Sequence, residues 1–472
     1  MMRSLFSGVS GLKGHQTRMD VIGNNIANVN TTGFKSSRVT FADTLSQTQT
    51  AASAPGDTLG GTNPKQIGLG TGVASIDLLF TDASAQSTGK NTDVALAGNG
   101  LFIVKSGNDT YYTRDGAFEF DADGNYVLPG TGHYVQGWMA KDGVLSTNGA
   151  TENIVIKAGK SMASEASEKI SYENNINAAE LTISSASQGT TSSSTAGDKF
   201  TATTANPVTL TMSDGTSVTQ TSGTYTVSYS LPITTTVNLY DTLGNAHTLP
   251  IYFTKTNVSS DNGNTWTVSL TTDPTVNSTQ IKESDGTTTT VTMTPISLRF
   301  TTSGKYDTQN NTTGSSELTL TNGAQKTQTV AMDLASLTQY SGNNTLKGNA
   351  DGNAAGTLKS VSIDGSGIIT GVYTNGVRQA EAQIAIAQFT NASGLTKTGS
   401  SLYQESNNSG TANIKTAADL GCTITPSALE MSNVDIANEF SDMIITQRGF
   451  QSNSKIITVG DEMLETLINM KR

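Results

Sequence analysis

Residues 432–472 read SNVDIANEFSDMIITQRGFQSNSKIITVGDEMLETLINMKR, and the period of this stretch decides the fold. Leu429, Ile436, Met443, Phe450, Ile457 and Leu464 stand seven apart, and Phe440, Ile444 and Leu467 widen the stripe. Apolar side chains at that interval share one face of an α-helix, and six consecutive positions predict a coiled coil. Ser427 with Glu430, and Ser432 with Asp435, offer capping chemistry at the start. A helix of some 40 residues from about 430 would be about 60 Å long, which is long for a globular protein.

The other end mirrors this pattern. Leu5, Leu12, Met19 and Ile26 are also seven apart, flanked by Val9, Ile22 and Val29, and the pattern stops at Asn30-Thr31-Thr32-Gly33. Gly8, Gly11, Gly14 and Gly23 each cost about 1 kcal/mol against Ala in a helix interior, so this helix is unstable alone. It is expected to order on association, with its glycine face allowing close approach of a neighbouring helix. The ends also complement in charge. Residues 1–40 hold Arg3, Lys13, Arg18, Lys35 and Arg38 against Asp20, whereas residues 430–472 hold seven acidic and four basic residues.

Between the ends the pattern is strands and turns. Of 472 residues, only 14% are charged and 47 are Gly, and residues 201–300 contain 29 Thr. Such composition favours strands and turns over helices. Residues 93–139 and 355–392 alternate short apolar runs with turn pairs such as Asp364-Gly365 and Asn375-Gly376. The expected fold class is mainly β with α-helical coiled-coil termini, the β part being nested and discontinuous. An outer β domain (149–354) is inserted into an inner one (71–148 and 355–429). A connector (31–70) leads to a terminal helical domain (1–30 and 430–472). Residues 183–196 read as a flexible surface loop.

The excluded chemistry is extensive. A net charge of −11 leaves no basic stripe for nucleic acid. No run of 18 apolar residues occurs, so no membrane span is expected. The start, MMRSLFSGVSGLKGHQ, lacks the apolar core of a secretory signal. Three His and one Cys offer little for a metal or thiol site. Asp121-Ala-Asp123-Gly-Asn125 opens like a Ca²⁺ loop, but Tyr126 and Gly132 stand where Gly and Glu are required, so it reads as a turn. Gly68-Leu69-Gly70-Thr71-Gly72 fits no nucleotide-binding spacing. His15, His133 and His247 have no neighbouring ligands, and Cys422 reads as a small buried hydrophobe. No catalytic, cofactor or metal residue is named, and no enzymatic activity is expected.

VIGNNIANVNTTGFKSSRVTFADTL (21–45) and the quoted 432–472 segment resemble the terminal signatures of the bacterial flagellar rod and hook axial proteins. DVALAGNGLFIV (93–104), YTRDGAFEFDADGNYV (112–127) and AIAQFTNASGLTKTGSSLYQESNNSG (385–410) are similar to that family's inner β domain. VNLYDTLGNAHTLPIYFTKT (237–256) resembles the outer domain of its hook-type members, whereas the rod types are shorter. The likeness is weak over 178–230 and 257–340.

The resemblance implies a homopolymeric, curved and flexible tube that passes torque from rod to filament. Its terminal helices would line an export channel. It further implies contacts with distal rod, hook–filament junction and hook cap proteins, and a place outside the cell reached through the flagellar type III export apparatus without a cleaved signal. The expected polymer contacts are Leu5, Leu12, Met19, Ile22, Ile26, Ile436, Phe440, Met443, Phe450, Ile457 and Leu464. Within the signature, Asn24, Asn25 and Asn28 are either polar helix-surface residues or amides that satisfy buried polar groups between subunits. Gly33 is expected to supply a backbone conformation other residues avoid, and Phe34 to anchor the connector. A distal-rod-type axial protein is the alternative within the family; a secreted β-rich adhesin or glycan-binding protein is the alternative outside it.

Overall fold

The computed structural model describes all residues except 1, 56–59, 260–262, 284–285, 310, 312–313 and 471–472. Helices stand at both ends, α1 (Met2–Ala27) and α2 (Ile436–Asn469), and the described residues between them form strands, turns and two short 3₁₀ turns. It divides into two compact units. The first comprises 1–160, 358–372 and 378–472, and the second comprises 161–357 and 373–377.

In the first unit, strand Leu101–Ser106 pairs with Asp109–Thr113 on one side and with His133–Lys141 on the other. The returning half of the chain completes the sheet: Arg378–Ile384 pairs with His133–Lys141, and Ile386–Gln388 with Leu101–Ser106. Both halves fill one core. Phe102, Val104, Phe118, Tyr126 and Val135 meet Ile369, Ile384 and Ile386 there. Phe102 and Phe118 stand edge to face at 5.3 Å, a favoured aromatic arrangement. Each large apolar side chain so buried contributes roughly 1.5–3 kcal/mol. The sequence reading ended this unit's first half at 148. The chain stays in it to 160 because Ile154 and Ile156 belong to its core.

The larger part of the second unit is a pair of sheets over a shared core. Strands Ile233–Tyr240, Ala246–Asn257, Thr265–Ser269 and Ile296–Arg299 form an antiparallel sheet. The facing sheet contains Lys169–Asn177, paired in parallel with Thr327–Tyr340. Along Thr327–Tyr340 the apolar residues Val330, Met332 and Leu334 are buried at the period of two of a half-buried strand, and a register shift against Lys169–Asn177 moves the next buried apolar position to Leu337. Trp266, Tyr172 and Phe253 sit at the centre of that core.

The expected surface loop at 183–196 is structured. Ile183–Gln188 and Thr191–Ser193 are strands, and Ile183 and Ala186 bury into a small separate core with Phe200, Val208, Leu210 and Tyr225. The serine- and threonine-rich composition hid a strand whose inward positions are only Ile183 and Ala186.

The C-terminal helix starts later than its capping pairs suggest. Ser427 adopts φ +55°, and Ala428–Glu430 pairs as a strand with Ala85–Ser87, so Leu429 is not helical. Asp435 is the cap, its side chain accepting from the N–H groups of Ala437 and Asn438. The helix is therefore 34 residues long.

Candidate assembly interface

The two helices pack on each other in antiparallel order. The facing pairs are Leu5 with Gly460, Gly8 with Ile457, Gly11 with Asn453 and His15 with Gly449, and Arg18 bonds Asp442 at 2.9 Å. Glycines make the close approach possible. A Cβ on Gly11 would stand 2.7 Å from Asn453 Nδ2, and one on Gly460 2.7 Å from Leu5 Cδ2. Of the four α1 glycines, Gly8 and Gly11 face α2 of the same chain, Gly14 faces Phe41, and Gly23 faces open space. The close neighbour of the glycine face is thus the chain's own second helix.

This seam satisfies only part of the two helices. Ile22 is buried, while Leu5, Leu12, Met19, Ile26, Met443, Ile457 and Leu464 are half-buried. Ile436, Phe440 and Phe450 remain 46%, 50% and 42% exposed. His15 Nδ1 and Thr446 Oγ1 are buried without a hydrogen-bond partner, which weakens the seam.

The heptad reading missed Phe6 on α1 and Ile445, Ile456, Met463 and Ile468 on α2, all exposed. Ile444 and Ile445 are each 59% exposed and Ile468 66%. The signal for them was a series of apolar doublets, Ile444-Ile445, Ile456-Ile457, Met463-Leu464 and Leu467-Ile468. In two of these one member is half-buried and the other exposed, so α2 carries a second apolar surface. An amphipathic helix with two apolar faces needs cover on both.

Below the helices lies a buried charge cluster that periodicity could not reveal. Lys35 and Arg114 share Glu430, with Lys35 Nζ 2.7 Å from Oε1 and Arg114 Nη1 3.2 Å from Oε2. All three side chains are at most 2% exposed. Lys35 also donates to the Thr81 carbonyl at 2.6 Å, and Arg114 to the carbonyls of Leu96 and Gly98 and to Asp82. Burial pushes the Lys35 ammonium below its usual pKa, against the pull of Glu430. Burial likewise raises the Tyr403 hydroxyl.

The signature residues gather around this cluster. Asn25, 1% exposed, donates to the Ser37 carbonyl and to Glu439 Oε1, both at 2.9 Å, and accepts from the Ser37 N–H at 3.0 Å. Its amide is thus consumed within the chain, tying α1 to the start of α2. Asn28 donates to the Asn24 carbonyl at 2.8 Å and Asn24 is exposed, so these two close the end of α1. Gly33 has φ +63°, and a Cβ there would stand 2.5 Å from the backbone of Arg114. Phe34 is buried, with Lys397 Nζ 3.9 Å over its ring. Asn433 accepts from the Ser36 N–H and donates to the Leu79 carbonyl, each at 2.8 Å.

The segment read as a connector begins as strand Ser37–Asp43, paired with Thr71–Leu78, and continues as Ser46–Thr50 paired with Lys65–Gly68. The second pair is exposed throughout, and a two-stranded ribbon is marginal in isolation. Among the described residues, no group of three His, Cys, Asp or Glu could hold a metal ion, and no helix is long and apolar enough to cross a membrane.

Four family models match the chain. "Flagella basal body rod protein" covers residues 5–35, and "Flagellar hook protein FlgE/F/G D1 domain" covers 95–190. "Flagellar basal body protein FlaE D2 domain" covers 230–353, and "Flagellar basal body rod FlgEFG protein C-terminal" covers 425–470. Among curated proteins, the flagellar hook protein FlgE of Treponema pallidum (strain Nichols) is 38% identical over the whole of both chains. That of Borreliella burgdorferi is 37% identical, again over the whole of both. The flagellar basal-body rod protein FlgG of Bacillus subtilis (strain 168) is 29% identical, with all of each chain covered.

Proposed function

The chain belongs to the flagellar hook protein family, and from that premise we propose that it is the structural subunit of a bacterial flagellar hook, assembling with copies of itself into a curved, flexible tube. The observation that carries this reading is the half-covered helix pair. α1 and α2 bury one face of each other, yet Phe440, Ile444, Ile445 and Ile468 are left at least half exposed. Burying the exposed part of such side chains is worth roughly 1–2 kcal/mol each. Several per subunit offset an association cost of about 4–15 kcal/mol. Leu5, Leu12, Met19, Ile26, Ile436, Met443, Phe450, Ile457 and Leu464 flank these positions and complete the contact.

The helix pair lines the channel, where neighbouring pairs cover one another. The second unit, with few charges and many threonines, lets neighbouring copies slide as the tube bends. The tube transmits torque from rod to filament. Its ends meet the distal rod and hook–filament junction proteins, with a hook cap protein at the growing tip. The subunit reaches the cell exterior through the type III export apparatus without a cleaved signal, and it has no catalytic activity.

Negative-stain microscopy of the purified full chain, concentrated in high salt, tests the reading. Hollow curved tubes support it. Straight rigid tubes favour a distal-rod-type protein, and soluble monomers at every concentration overturn it.

A further inference from the structure

At the foot of the helix pair, the end of α1, residues 128–131 and the end of strand Thr396–Gly399 with the turn after it border an open pocket of about 600 Å³. Its wall includes Asn24, Asn28, Phe34, Lys397 and Ser400. Lys397 is a cation without an anion: its ammonium lies 3.9 Å over the Phe34 ring, and among the described residues no carboxylate pairs with it. Lys397 is exposed on strand Thr396–Gly399, its side chain lies against Phe34, and burial of part of that side chain lowers its pKa from the usual lysine value. Asp115, also in the wall, is engaged elsewhere: its carboxylate accepts from Thr32 Oγ1 at 3.0 Å and from the Ala117 N–H at 3.1 Å.

The complementary charge lies at the other end of the same helix pair. Asp461, Glu462 and Glu465 are exposed on the last turns of α2, and among the described residues no cation pairs with them. Met463, Leu467 and Ile468 stand exposed between and beyond them. Asn25 bonds Glu439 at the cavity end and Leu5 faces Gly460 at the far end. From Glu439 to Glu465 the helix rises roughly 39 Å. One copy cannot bring its own acidic turns to its own cavity.

We propose that this cavity receives the acidic last turns of α2 from a second copy of the chain, with Lys397 facing Glu462 or Glu465. The inference rests on the assembly reading and names the contact it uses. A site and its complement at opposite ends of one element make a head-to-tail contact, which repeats along a line instead of closing into a dimer. The carboxylate supplies the anion that Lys397 lacks, and Met463 and Leu467 gain cover against the cavity's apolar wall.

The test uses the full chain and its critical concentration for polymerisation, read by sedimentation. Lys397→Glu is expected to raise that concentration at least ten-fold while leaving the circular dichroism of the monomer unchanged. Adding Glu462→Lys and Glu465→Lys to Lys397→Glu is expected to recover most of the loss. Wild-type polymerisation by Lys397→Glu, or no recovery in the reversed-charge variant, overturns the contact and leaves the assembly reading standing. Failure of the unmodified chain to polymerise removes both. As a second measurement, Lys397→Cys with Glu465→Cys, oxidised after assembly, gives a ladder of cross-linked chains; monomers alone overturn the proposal.

Discussion

Lys35 and Glu430, 395 residues apart in sequence, form an ion pair 2.7 Å long that is almost wholly removed from water. Around it the two ends of the chain meet. The Gly33 N–H donates to the Glu430 carbonyl at 2.8 Å, and Arg114 from the β unit joins the same carboxylate. The helix pair is therefore rooted in the strands of its own unit through one carboxylate that serves two buried cations.

Removing that carboxylate charge leaves Lys35 and Arg114 without their shared anion. Glu430→Gln is expected to lower the unfolding free energy of this unit by about 3–5 kcal/mol, the usual cost of stranding a buried charge. Lys35→Met combined with Glu430→Gln strands one cation fewer and is expected to cost less than Glu430→Gln alone. Urea titration followed by helical ellipticity checks both, and a loss under about 1 kcal/mol for Glu430→Gln contradicts the root.

Two glycines of the N-terminal segment are expected to respond in opposite directions. Gly23 faces open space on α1, so Gly23→Ala gains about 0.5–1 kcal/mol from helix propensity. Gly33 holds φ +63° with the Arg114 backbone against it, so Gly33→Ala costs at least about 2 kcal/mol. Thermal unfolding of the two variants separates them; equal shifts contradict the geometry.

The second unit is expected to weaken in acid through Asp241. Burial favours its neutral form, but donors from Asn245 and Asn322, with His247 beside them, overcome this and hold the carboxyl at about 2, below its ordinary 3.8. A depressed folded pKa means that the stabilisation is complete above the unfolded value and is lost as pH falls through the folded one. The loss therefore spans pH about 4 to about 2. Asp241→Asn is expected to be less stable at neutral pH and to lack this slope. Near-ultraviolet dichroism, to which Trp266 in the core of that unit contributes, reads it in a Trp138→Phe background; an unchanged slope in the Asp241→Asn variant contradicts the assignment.

How much of this was legible follows from which signals are local. Helix existence was legible because the stripes at Leu5–Ile26 and Ile436–Leu464 repeat over several turns. The start of α2 was not, because Ser427-x-x-Glu430 satisfies a capping pattern, yet Glu430 is recruited by Lys35 and Arg114 from distant segments. Asn25 shows the same limit: its importance was readable from the signature, but its partners, Ser37 and Glu439, depend on how the ends fold back. The outward face of α2 was encoded locally in the doublets Ile444-Ile445 and Ile456-Ile457, and a single-stripe reading passes over them.

A helix break separates assembly from folding. Proline at Met443 or Ile457 removes a backbone donor in mid-helix and costs about 3 kcal/mol or more there, while the β cores keep their contacts. Strand dichroism and the near-ultraviolet signal are expected to persist as polymerisation is lost, whereas collapse of the β signal would mean that the β cores depend on α2.

The most direct test of the central claim is cryo-electron microscopy of polymerised full-length chain beside Ile444→Lys, Ile445→Lys, Ile468→Lys triple-variant chain. The account predicts tubes for the unmodified chain, with α1 and α2 lining a central channel and those three isoleucines covered by neighbouring copies, and folded monomers for the variant. Tubes of the same form from the triple variant, or a map with these isoleucines facing solvent, would contradict it.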